Sequence, residues 1–428
     1  RLEIGSRHLP SAAGASRPPG PVVQSLRPQA GRLLVEPVHG RRLCSLMGHD
    51  CSCRVVPRLP CRADVMRLDS LTGLRWWAAF AVFCYHMMNF APVPGLGAVA
   101  RYGNHGVAFF FVLSGFVLTW SARISGTTVA NFYWRRFARI YPAHVVALLV
   151  AIPVFYSVTS ATPDPSRFWV KPFAVAPLLL SLVLLQSWFK DPSIRFSGNP
   201  AAWTLGVEAF FYALHPWLSR LLARVSRRGA LLALGSVTAV VMLHRVAVVR
   251  DPSGVLASLP IPVARLEEFV MGMVVARLVQ LGAGRRIRPW MGYAALAAFV
   301  TWSVLLRRYG WADPWSVWVQ NLELQVLAVL FALTILGIAN NDLAQRRSWL
   351  RHRVLVTLGT WSFAFYLVHA TVMYAVSSAV GLRPMSVKNL LWYPVVFALA
   401  LAAAWALYRF VEHPVERRLR HWGNAHLG

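Results

Sequence analysis

Two ionisable side chains stand eleven residues apart in a largely apolar stretch, MRLDSLTGLRWWAAFAVFCYHMMN at 66–89: Arg75 near its mouth and His86 further in. At about 1.5 Å of rise per helical residue the separation is roughly 16 Å, which puts His86 near the middle of a hydrocarbon layer about 30 Å thick. A histidine there is either a functional group facing a polar cavity or a neutral ring hydrogen-bonded to a neighbouring helix. Imidazole titrates near neutral pH, so the chemistry it offers is removal of a proton from a weak nucleophile such as a hydroxyl.

Further candidates recur along the chain. Glu208 lies in AWTLGVEAFFYALHPW among Trp203, Phe210, Phe211 and Tyr212. Burial among such rings disfavours a charged carboxylate unless a cation is near, so Glu208 is a proton carrier, a partner for a buried histidine, or half of an interhelical structural pair. NFYWRRFARIYPAH presents Arg135, Arg136 and Arg139 on a short amphipathic turn expected to end at Pro142. Arg136 and Arg139, three apart, share one helical face and can grip a phosphate-bearing donor, although positive charge on the cytoplasmic side accounts for any one of them. In GVAFFFVLSGFVLTW, Ser114 and Gly115 are small enough to let two helices approach closely. Ser114 has no base at a fixed local offset that would activate it as a nucleophile.

The remaining ionisable groups read as follows. His369, in LGTWSFAFYLVHATVM, either faces the same cavity as His86 or is a satisfied core histidine. His144, His215 and His413 lie near helix ends and read as interfacial, and Arg265 with Glu268 reads as a structural i, i+3 pair. Cys44, Cys51, Cys53 and Cys61 with His49 fit no zinc spacing, the other histidines are scattered, and no metal site is expected.

The elements that must position these groups are membrane helices. Of 428 residues, 57% are hydrophobic and only 14% charged, and the mean hydropathy is +0.49. That composition excludes an ordinary soluble globule. A net charge of +28 would suggest nucleic acid in a soluble protein, but here the arginines cluster in short gaps between apolar runs and report orientation, so no nucleic-acid partner is expected. After the first helix, apolar runs follow at 103–122, 142–158, 172–189, 203–223, 229–249, 263–280, 290–307, 320–340, 354–379 and 389–411, eleven candidates in all. Arginine-rich connections at 220–228, 277–288, 346–353 and from Arg409 are two helices apart and can all face the cytoplasm. The cluster at 123–139 precedes the next by three candidates, so one of 142–158, 172–189 and 203–223 fails to span or re-enters; the charges do not say which, and 172–189, flanked by Lys171, Pro172 and Pro177, is one suspect. The expectation is an all-α polytopic protein of the cell membrane with about ten transmembrane helices, one further apolar segment re-entrant, and both termini cytoplasmic.

Residues 1–65, rich in Arg, Pro, Gly and Ser, show no period and are expected to be disordered. Met66 stands directly before the first helix and is the expected biological start; the competing reading is a basic tail on anionic lipid. A transmembrane domain over 66–420 and a short cytoplasmic tail over 421–428 complete the expected organisation.

Taken in order, the motifs resemble the acyltransferase 3 family of integral-membrane O-acyltransferases. They are Arg75 with His86, GVAFFFVLSGF at 106–116, RRFARIYP at 135–142, WTLGVEAFFY at 203–212, RLEEFVMGM at 265–273, LGTWSFAFYLVH at 358–369 and YRFVEHPVERR at 408–418. The resemblance implies a ten-helix core and transfer of an acetyl or other short acyl group from acyl-CoA, a co-substrate rather than a bound cofactor. The acceptor it implies is a hydroxyl of a carbohydrate, glycolipid or glycosylated metabolite. Carried over by position, His86 is the catalytic base, Glu208 a functional carboxylate, and Arg75, Arg136 and Arg139 contact the donor. Ser114, Trp203, Tyr212 and His369 are the candidate cavity residues. The alternative is a proton-coupled secondary transporter in which His86 and Glu208 relay protons, but the motifs of 66–212 have no repeated counterpart in 263–418.

Overall fold

The stretch carrying Arg75 and His86 is helical over Asp69–Phe90 (α1). Asp69 complements the dipole of its first turn, and its free N-terminal donors are met from elsewhere: the Ser70 backbone N–H and Oγ donate to the two Asp342 oxygens at 2.9 and 2.5 Å. The computed structural model describes residues 68–125, 128–157, 167–309 and 314–428. The expected leader over 1–65 and the expected start at Met66 lie outside the described residues.

The helices that follow are α2 (Gly106–Ser125), α3 (Val129–Phe155), α4 (Val175–Leu182), α5 (Trp203–Ala223), α6 (Arg227–Arg250), α7 (Leu266–Gln280), α8 (Pro289–Arg308), α9 (Pro314–Leu343), α10 (Arg353–Val380), α11 (Trp392–Leu407) and α12 (His413–His426), with short helical turns between some of them. Extended pairing among the described residues is confined to Tyr156–Ser157 beside Lys171–Pro172. Seven helices among the described residues are long and apolar enough to cross a membrane. The chain is an all-α, multi-pass membrane protein.

Segment 172–189 does not form a long helix. Its regular part, α4, has eight residues, roughly 12 Å, and Leu184 at φ 61° turns the chain back. Neighbouring protein meets part of its polar backbone and side chains: His144 Nε2 pairs with the Ser181 carbonyl at 3.0 Å and Gln186 donates to the Ala202 carbonyl at 3.1 Å, while Ser181 Oγ and Gln186 Oε1 are buried without a partner. With this segment too short to cross, the arginine-rich connections fall at one end of the bundle. There Ser70 meets Asp342, Arg277 caps the last turn of α5 through the Ala223 and Val225 carbonyls, and Trp134 donates to the Leu419 carbonyl. At the other end Arg383 N–H meets the Phe90 carbonyl and Arg245 reaches Asn321.

Two pairs of glycines set the closest approaches. A side chain at Gly115 would strike the Phe269 carbonyl and one at Gly272 the Val112 carbonyl, so α2 and α7 touch backbone to backbone, as the small residues there predict. Gly359 and Gly73 do the same for α1, against the Thr72 and Leu350 carbonyls. Between α1, α10 and α11, Trp76, Phe83, Phe365 and Phe397 form a ring cluster that holds α1 in place.

Two expectations are corrected. Pro142 does not end the arginine-bearing turn: α3 runs through both Pro142 and Pro153, because buried Ala138, Ile140, Ala143 and Ala147 secure it on both sides of the missing hydrogen bond. His144 and His215 are not interfacial but buried, paired with the Ser181 carbonyl and the Thr119 hydroxyl.

Candidate active site

Helical periodicity brings most of the candidate residues to one place. On α1 eleven residues make about three turns, leaving Arg75 and His86 only about 20° apart around the axis. On α5, Thr204, Glu208 and Tyr212 recur every four residues; on α10, Ser362, Tyr366 and His369 follow at i, i+4 and i+7. With Ser114 from α2 and Arg136 and Arg139 from α3, these helices enclose a cavity of about 140 Å³. Arg75, Ser114, Arg136, Arg139, Thr204, Glu208, Tyr212, Ser362 and Tyr366 belong to its wall.

Inside it the polar groups divide into two sets. Tyr212 donates to Glu208 Oε2 at 2.7 Å and its hydroxyl also faces Ser114. Arg139 is held by two carboxylates on the last helix, a close contact to Glu412 and one of 2.9 Å to Glu416. Glu412 is delivered by a π-helical turn at Tyr408–Glu412 that joins α11 to α12. Neither Arg75 nor Arg136 is held by a carboxylate in this way among the described residues. Arg136 Nε is buried without a hydrogen-bond partner, and its guanidinium lies 6.0 Å from the Phe132 ring.

His86 stands outside the wall. Its Nδ1 is 2.9 Å from Nε2 of His369, which is 1% exposed. Tyr366 links the two regions, lining the cavity while its ring packs 5.7 Å from that of His369. Of the candidate cavity residues, Ser114 and Tyr212 line the wall, whereas His369 lies behind Tyr366 and Trp203 packs against Phe111 at 6.4 Å. Arg265 and Glu268 form the expected pair at 2.7 Å.

Sequence reasoning missed the roles of Glu412, Glu416 and Tyr366. The first two sit in YRFVEHPVERR as rare acids in a basic tail, which is a signal; Tyr366, one turn before His369, carries none beyond its spacing.

A family model described as an acyltransferase domain matches residues 68–409. This chain belongs to the acyltransferase 3 family. Acyltransferase MdmB of Streptomyces mycarofaciens is 35% identical over 326 residues, covering 72% of this chain and 80% of that protein. Nodulation protein 10 of Rhizobium leguminosarum bv. viciae is 32% identical over 187 residues, 38% of this chain and 48% of its own length. Peptidoglycan O-acetyltransferase OatA of Listeria monocytogenes serovar 1/2a is 25% identical over 372 residues, 82% of this chain and 56% of its own. No solved structure matches the chain. The protein is thus a membrane acyltransferase, a reading that displaces the transporter alternative.

Proposed function

We propose that the protein transfers an acetyl or other short acyl group from acyl-CoA to a hydroxyl of a carbohydrate or glycosylated acceptor. One observation carries the donor: Arg75 and Arg136 enter the cavity from two helices, and among the described residues neither is in direct ion-pair contact with a carboxylate. Each guanidinium has five N–H donors in a fork that suits phosphate, and the phosphates of a coenzyme A thioester are a ligand for such a pair.

In this reading ten helices cross the cell membrane with both termini cytoplasmic, and the donor enters at the arginine-rich end. His86 removes the proton of the acceptor hydroxyl as it attacks the thioester carbonyl. Glu208 orients Tyr212 and balances the nearby guanidinium charge. Tyr366 lines the cavity and packs its ring on that of His369, and in this reading that ring moves aside when the acyl end advances towards His86.

The test is incubation of membranes from expressing cells with radiolabelled acetyl-CoA. Label is expected in the extracted glycan or glycolipid, and His86→Ala is expected to abolish it while the protein still inserts. Transfer at the wild-type level by that variant would refute the role of His86. Label absent from every glycan and glycolipid fraction with the wild type would refute the substrate assignment.

A further inference from the structure

The hydrogen bonds of the histidine pair determine where its protons sit. His369 Nδ1 lies 2.8 Å from the Tyr366 carbonyl oxygen and 3.2 Å from that of Phe365. A carbonyl oxygen only accepts, so His369 carries its hydrogen on Nδ1, and in the neutral ring its Nε2 is bare. That bare nitrogen is 2.9 Å from His86 Nδ1, so the hydrogen between the rings belongs to His86. With the Val82 carbonyl one turn back as a second acceptor beside the ring, neutral His86 keeps N–H at Nδ1 and an unshared pair at Nε2.

We propose that His369 is a positioning residue, holding His86 in the one tautomer and orientation that leave Nε2 free to act as the base. The proposal rests on the reading of His86 as that base. His369 is well placed for the task. Its ring is tied to its own helix through two backbone carbonyls, stacked on Phe365 at 5.9 Å and 16°, and closed off from solvent. Among the described residues no carboxylate hydrogen-bonds either imidazole.

An aspartate commonly fills this orienting role in acyl transfer, accepting from Nδ1–H of the catalytic histidine. Within a hydrocarbon layer a second imidazole does so without the desolvation cost of a buried carboxylate. The step balances simply. The acceptor O–H proton passes to His86 Nε2 as the oxygen pair forms the C–O bond to the acyl carbon. The Nδ1–H···Nε2 bond becomes charge-assisted while His86 is cationic. When the C–S bond breaks, the thiolate takes the proton from Nε2, and both rings return to their starting state.

The tautomer is read directly in the unaltered protein by solid-state NMR of ¹⁵N-histidine-labelled enzyme in bilayers, with His86→Ala used to assign the signals. His86 Nδ1 should fall in the protonated range and Nε2 in the bare-nitrogen range; the reverse overturns the proposal. Kinetics supply the second readout, using acetyl-CoA as donor and envelope glycan as acceptor. His369→Leu, which cannot accept from Nδ1–H, is expected to lower kcat by about 10²- to 10⁴-fold with KM for acetyl-CoA unchanged. His369→Gln, whose Oε1 can accept that bond, is expected to recover at least about tenfold of the loss. Equal loss in both variants, or a folded leucine variant with near-wild-type kcat, overturns the positioning role. Activity surviving in His86→Ala instead overturns the reading beneath it, which separates the two failures.

Discussion

Arg136 and Arg139 are one helical turn apart, line the same cavity and carry the same charge, yet the structure expects opposite consequences from replacing them. Arg139 compensates Glu412, which is 1% exposed, and shares Glu416 with Arg420 at 3.1 Å. Removing one partner of a buried ion pair leaves an uncompensated charge and costs about 3–5 kcal/mol, so Arg139→Gln should lower Tm by several degrees. It should also loosen α12, which is docked on α3 through Trp134 to the Leu419 carbonyl and Arg135 to Asn424. Among the described residues Arg136 has no such ion-pair partner, and its Nε is already unsatisfied. Arg136→Gln should therefore change stability by less than about 1 kcal/mol, or raise it. A charged hydrogen bond to phosphate is worth about 1.5–3 kcal/mol, so the same substitution should weaken acetyl-CoA binding about ten- to a hundredfold. Thermal melts of purified protein and equilibrium binding of radiolabelled acetyl-CoA in nanodiscs measure the two quantities separately. If Arg136→Gln destabilises as much as Arg139→Gln and binds the donor normally, the division of the two arginines into a free and a neutralised one is wrong.

Other expectations follow from single contacts. Asp342→Ala strips both bonds from Ser70 at the start of α1 and should cost about 1.5–3 kcal/mol in a thermal melt. Gly272→Val drives a side chain into the Val112 carbonyl and within 2.9 Å of the Phe116 nitrogen, and should collapse the yield of folded protein. Gly235→Ala, with nothing within 4 Å of its Cβ, should be neutral or stabilise by up to about 1 kcal/mol on the same assay. Tyr366→Trp, which enlarges the ring that lines the cavity beside His369, should lower kcat while leaving acetyl-CoA binding intact; a parallel loss of binding would contradict the movement proposed for it.

Much of the site is legible in the sequence because α-helical geometry is periodic. A spacing of eleven residues aligns Arg75 with His86, three align Arg136 with Arg139, and four align Glu208 with Tyr212, whatever the rest of the chain does. Arginine parity likewise shows that one of 142–158, 172–189 and 203–223 is out of step, since charge placement in loops is a local property, but only the short α4 identifies it as 172–189. Close approach at Gly115 is also readable, because a missing side chain has few other uses between membrane helices.

Partnerships between distant residues are not legible in this way. His86 meets His369 across 283 positions, and Arg139 meets Glu412 and Glu416 across 273 and 277. No local spacing encodes such pairs, because which faces of which helices meet is decided by how all of them pack at once. The same packing carries α3 through Pro142, where backbone chemistry alone argues for a stop. The amino-acid order thus determined the helical segments and the faces bearing charge. Tertiary packing alone decided which arginine is free, which is neutralised, and that the histidine in α1 is joined to a second one, since each depends on a neighbour brought in from the far end of the chain.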